Sequence, residues 1–408
     1  MVYLPTELLG AIVAEVHSQP DLLRLRTANT TLNALATPFA FQSVQFSNTD
    51  KCLENFKCLT NHPKIAPLIR EVVYQYKEAD ASTCGRLFFS DTSRLIRAIE
   101  RIHTRMKGEP VRDFAVRGYD GTAFLEALAL FATLPALKDL VLRLREHDGP
   151  YKSDPVGAQN NCPPDAVLQF LIFRALGEVT HGFPAHLRSL TIDKFLPLPH
   201  EFLQSGAFIH HISTLTHFAV NTTVDCTAFQ PYDPRLERSP DFRIFSKSAL
   251  SSSLVSLQLH NVCIRPADIL FPISKIHLPR LAYLSLQRTF FSRGGDVEDF
   301  IARHGGTLVE LKLFLCPMAI SITSRRGTAD EDFYRWAKVW DRLNRDLRVL
   351  KNLVVSERHD SDGVEDVGLG RYIDNCFHCE VVVVKARIMR ADDRAFERVQ
   401  KSAESRSQ

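Results

Sequence analysis

The chain has 408 residues, 45% hydrophobic and 24% charged, with 50 Lys and Arg against 47 Asp and Glu for a formal net charge of +3. That length and apolar share suit a soluble globular protein with a large core, and the near balance of charge leaves no bulk electrostatic footprint for nucleic acid or an anionic membrane surface. No run of about eighteen apolar residues predicts a membrane span, and Glu7, Glu15 and Pro5 interrupt the apolar core a signal peptide needs. The expectation is an intracellular protein, cytoplasmic or nuclear. Its nine cysteines, an odd number scattered over the chain, read as reduced thiols. The sequons at Asn29 and Asn221 are then chance matches.

Residues 4–46 read as two or three short helices. Leu4 and Pro5 set the first start, since the missing N–H of proline costs nothing in a first turn. Leu8, Leu9, Ile12, Val13 and Val16 recur as one apolar stripe. Pro20 disfavours helix at Gln19 and breaks the pattern. A second stripe holds Leu22, Leu23, Leu25 and Ala28, and Asn29, Thr30 and Thr31 prefer caps and turns, which predicts a joint before Leu32 and Leu35. Pro38, Phe39, Phe41, Val44 and Phe46 form an exit strand or arm. A module this short buries too little surface to be self-sufficient, so it leans on the rest of the chain, on a partner, or on both.

Leu4-Pro5 followed by Glu7, Leu8 and Ile12, then Asp21-Leu22-Leu23-Arg24-Leu25-Arg26 and Leu32-x-x-Leu35, resembles the F-box. That motif docks on the Skp-type adaptor of a cullin ubiquitin ligase. The resemblance implies adaptor contacts at Leu4, Pro5, Leu8, Ile12, Leu22, Leu25 and Leu32. The third helix departs from the family pattern: Thr27 to Leu32 stand where a small or cysteine-like residue and then Ser-Arg are usual.

Beyond residue 60 an internal repeat dominates, apolar-x-x-apolar-x-apolar around one short strand. Its copies are Ile69/Val72/Tyr74, Val111/Phe114/Val116, Leu137/Leu140/Leu142, Leu187/Leu190/Ile192 and Leu215/Phe218/Val220. They continue as Leu254/Leu257/Leu259, Leu281/Leu284/Leu286, Leu308/Leu311/Leu313 and Leu350/Leu353/Val355. The shorter start-to-start steps, such as 254 to 281 and 281 to 308, fall inside the period of about 20 to 29 residues of leucine-rich repeats. Longer gaps hold inserted loops or helices. In the best copy Cys316 stands at the strand-to-turn corner, where it can satisfy backbone groups.

A lone unit cannot cover its apolar face, so stacked units are expected to form a parallel sheet with a continuous core. Helices for the outer layer are predicted at Ser90 to Met106, Asp165 to Leu176, Asp296 to His304 and Thr328 to Leu347. In the last of these Thr328 and Glu331 fit a capping box, and Phe333, Trp336, Ala337, Trp340 and Leu343 share an apolar face that packs on the array. The charged stretch from 390 to 408 reads as a solvated tail, helical at most to about Gln400. The fold expectation is therefore α/β: a helical F-box at 1–46, an irregular leucine-rich-repeat array with a parallel sheet at 47–389, and the tail. Such arrays look like those that follow an F-box in many fungal proteins, HGGTLVELKLFLCP and LPRLAYLSLQ being of that type.

Catalytic signatures are missing: no phosphate loop, dinucleotide fingerprint, nucleophile elbow or H-E-x-x-H occurs. Cys376-Phe377-His378-Cys379 has half of a zinc spacing and reads as buried structural cysteines, His210-His211 as a surface pair, and Asp360 to Asp366 as a solvated acidic turn. No cofactor is expected. What remains is a binding surface, because residues between inward leucines project onto the open face of the sheet. Arg143, His217, His260, Tyr283, Gln287, Lys312 and Phe314 are the candidate client contacts, with exposed Tyr283 and Phe314 as anchors. The sequence thus reads as a non-catalytic substrate receptor of a Skp/cullin/F-box ligase, binding a client protein of unknown identity. The alternative is a repeat scaffold whose N-terminal helices only cap the first repeat.

Overall fold

The computed structural model describes residues 4–76, 126–144, 186–195, 206–222, 252–260, 276–289, 296–320, 335–356, 372–374 and 386–407, with 169, 172, 173, 273, 291 and 292. The architecture is mixed α/β, dominated by a nine-stranded parallel sheet. Three helices lead into it: α1 (Thr6–Ala14), α2 (Gln19–Ala28) and α3 (Thr30–Ala40). Then come β1 (Ser43–Phe46), α4 (Asp50–Thr60), β2 (Glu71–Gln75), β3 (Asp139–Arg143), β4 (Ser189–Phe195), α5 (Gly206–Ser213), β5 (His217–Thr222) and β6 (Ser256–His260). The chain continues with β7 (Tyr283–Gln287), β8 (Phe291–Ser292), α6 (Asp296–Arg303), β9 (Glu310–Phe314), β10 (Met318–Ile320), α7 (Trp336–Asp346), β11 (Asn352–Ser356), β12 (Tyr372–Asp374) and α8 (Ala386–Ser407).

Strands enter the large sheet in chain order, from β1 through β7 and then β9 and β11, while β12, β10 and β8 form a separate three-stranded sheet. The register repeats from pair to pair. Val44, Val72, Leu140, Leu190, Phe218, Leu257, Leu284, Leu311 and Leu353 lie side by side in one row, and Phe46, Tyr74, Leu142, Ile192, Val220, Leu259, Leu286, Leu313 and Val355 in the next. These are the apolar positions of the sequence repeat. Apart from Leu353 and Val355 on the last strand, which are half-buried, the rows are buried. Period-two alternation directs them all to one face, where they join one continuous core.

One hydrogen-bond pattern repeats from strand to strand along the large sheet. The carbonyls of Gln42, Arg70, Lys138, Arg188, Thr216, Val255, Ala282 and Val309 each accept two consecutive backbone N–H groups of the next strand, at 2.7 to 3.1 Å. Both donors at each start are satisfied by one backbone acceptor, which fixes the register.

Several expectations change. The unit at Val111/Phe114/Val116 lies outside the described residues, as does the helix at 90–106, and β2 pairs directly with β3. The boundary at residue 46 moves back, because β1 is itself the first strand of the sheet. Gln169, Ile172 and Phe173, within the helix expected at 165–176, are helical and buried. Helix α7 starts at Trp336, not Thr328: Arg335 is extended, and the capping-box residues fall outside the described part. Trp336 and Trp340 stack with centroids 4.9 Å apart inside the core, as the packing reading expected.

The expected solvated tail is instead the 22-residue helix α8, with Ala395, Val399 and Ala403 buried against the rest of the core. Asp392, fully buried, accepts a hydrogen bond from the Ala337 N–H at 2.8 Å and so caps α7 from another helix. Arg398 pairs with Asp341 at 2.6 Å. Gly305 marks another close approach, since a Cβ there would stand 2.0 Å from the Asp346 carbonyl oxygen. No helix among the described residues is long and apolar enough to cross a membrane.

Candidate docking surfaces

Helices α1 to α3 hold a small core of their own, Val13, Leu22, Ala36 and Ala40, with Val16, Leu25, Leu32, Leu35 and Phe41 packed around it. Local chemistry sets their limits. The Pro5 carbonyl accepts from the Leu8 and Leu9 N–H groups at 3.1 Å, Pro20 sits in the first turn of α2, and the Asn29 side chain accepts from the Leu32 N–H at 2.8 Å to cap α3. Arg26 donates to Thr37 Oγ1 at 2.9 Å and lies 4.5 Å above the Phe41 ring, joining α2 to α3. Gln19 Nε2 donates to the carbonyls of Ala40 and Ser43 at 3.2 and 3.1 Å, which holds the module on the first strand.

The stripe on α1 divides in two. Val13 is buried and Leu9 and Val16 are half-buried, whereas Leu8 and Ile12 are 52% and 54% exposed, and Leu4, before the helix, is 49% exposed. Spacing of four residues puts Leu8 and Ile12 on one outer line of α1, and Leu4 and Pro5, just ahead of the helix, are exposed as well. Leu22 belongs to the inner core, and Leu25 and Leu32 are half-buried against it. Of the residues expected to meet an adaptor, the structure thus offers Leu4, Pro5, Leu8 and Ile12 to solvent and uses Leu22 internally. Leu23 and Phe39 add exposed apolar area that spacing alone did not single out.

The second surface is the open face of the sheet. Tyr283 is 45% exposed at the start of β7. Arg143 and His217 are also exposed, and His260, Gln287, Lys312 and Phe314 are half-buried on neighbouring strands. All seven candidate client contacts occupy rows that alternate with the buried ones. Several are already engaged: Lys312 pairs with Glu310 at 2.6 Å, and His260 Nε2 lies 3.0 Å from Ser285 Oγ. Burial pushes the His260 pKa down, against a pull upward from the Asp193 carboxylate, and Asp193 accepts from Asn221 Nδ2 at 2.7 Å. Asp139 on β3 has its pKa raised by burial and then by the adjacent Glu71 carboxylate.

Cys316 sits at the corner after β9 with its thiol 3.5 Å from the Leu286 carbonyl oxygen and 3.4 Å from that of Phe314. Burial pushes the thiol up to about 12, so it serves as a neutral donor. Cys52, Cys58 and Cys316 are not joined in disulfides. His210 and His211 adjoin on α5, with the His211 pKa lowered by burial and then by its neighbour. Among the described residues no three His, Cys, Asp or Glu side chains gather to hold a metal ion. The Cys376 to Cys379 segment and the acidic turn at 360–366 lie outside those residues. The chain matches no protein-family model and no curated protein.

Proposed function

We propose that this chain is the substrate-recognition subunit of a Skp/cullin/F-box-type ubiquitin ligase, an F-box followed by a leucine-rich-repeat array. The F-box docks on the adaptor and through it a cullin, and the open face of the array holds a client protein. The chain catalyses nothing itself; it brings client and ubiquitin donor together, and proximity supplies the rate. The observation that carries this reading is the outer line of α1. Leu8 and Ile12 on that line, and Leu4 just before the helix, face water although the module has a core of its own, and a surplus of exposed large apolar side chains in one small module supports a docking surface. The parallel strands joined in chain order, with apolar positions in fixed rows, support the array.

Co-purification of the full chain with a Skp-type adaptor tests the reading, comparing wild type with Leu8→Asp/Ile12→Asp. Adaptor should be retained by the wild type and lost from the variant. Equal recovery would overturn the proposal.

A second reading, that the three helices only cap the first strand of a scaffold, draws on the Gln19 hydrogen bonds to Ala40 and Ser43. Under it, deleting residues 1–41 lowers the melting temperature sharply and no adaptor is recovered. Under the first reading the deletion costs adaptor binding and little stability.

A further inference from the structure

We draw no further inference here: the strongest candidate, the cleft between the helical module and the first strands of the sheet, sets Arg70 and Lys138 against Glu71 and Asp139, so its charges oppose one another and nothing in the structure shows what covers it.

Discussion

Both ends of the large sheet carry helices, and the two sets treat apolar surface in opposite ways. At the β11 end, α8 turns Ala395, Val399 and Ala403 inward at 0 to 2% exposure and leaves charged residues such as Arg394, Glu397 and Lys401 outside. Its last turn also serves the final strand. Lys351, next in line after the carbonyls that receive paired N–H groups, is bonded by Ser407 Oγ at 2.7 Å, and Arg406 donates to the Leu347 carbonyl at 2.8 Å. At the β1 end, α1 to α3 satisfy their own core and still present Leu4, Leu8, Ile12, Leu23 and Phe39 to water. Helix α8 shows what a terminating cap looks like in this molecule, with no large apolar side chain exposed among its described side chains. The excess at the other end is what the docking proposal explains.

Introducing the same charge at the two ends separates them. Ala395→Asp places an unpaired carboxylate in a fully buried site and should cost about 3 to 5 kcal/mol, read as a drop in the urea midpoint. A loss below about 1 kcal/mol would show that α8 is not the cap described here.

The helix pair next to α8 should show a pH dependence of similar origin. His304 is buried: its Nε2 accepts from the Leu278 N–H at 2.9 Å while Nδ1 donates to the Phe300 carbonyl at 2.6 Å. Burial is the main cause lowering its pKa from 6.5 to about 4. Between those values the unfolded chain takes up a proton that the native imidazole refuses. Its contribution is therefore full above about pH 6.5 and is lost as pH falls toward 4, by up to about 3 kcal/mol. Urea melts at pH 7.5 and 4.5 should show a steeper loss for wild type than for His304→Gln; parallel losses would contradict the assignment.

Smaller still is the cap supplied across helices. Asp392→Ala removes the acceptor for the Ala337 N–H and should cost about 1 to 2 kcal/mol. Hydrogen exchange at the start of α7 should rise in that variant, and an unchanged rate would count against the cap. Smallest of all, Ile12→Asp on the exposed line should stay within about 0.5 kcal/mol of wild type.

These two ends also mark what was legible in the sequence. The strands were readable because Leu, Ile, Val and Phe alternate with polar residues over each unit, so one face had to be buried. The joint at Asn29 was readable because an Asn side chain reaches a helix N–H three residues on. The packing of α8 and its run past Gln400 escaped because its inner stripe relies on Ala395 and Ala403, weak apolar signals, and because the desolvation of Asp392 is offset by a partner 55 residues away. The start of α7 was misplaced for the same reason, its cap lying on another element. On α1 one stripe was expected, but exposure divides it into an inner edge at Val13 and an outer line at Leu8 and Ile12, and no periodicity distinguishes a side chain buried at home from one held for a partner.

The central claim is that the outer line of α1 serves a partner and not the fold. Its most direct measurement is the affinity of the purified full chain for a Skp-type adaptor by titration calorimetry, with thermal melting of the same samples, for wild type and Leu8→Asp/Ile12→Asp. The account predicts heat of binding for wild type and none for the variant, with melting temperatures that coincide. Undiminished binding by the variant, or no binding by a folded wild type, would contradict it.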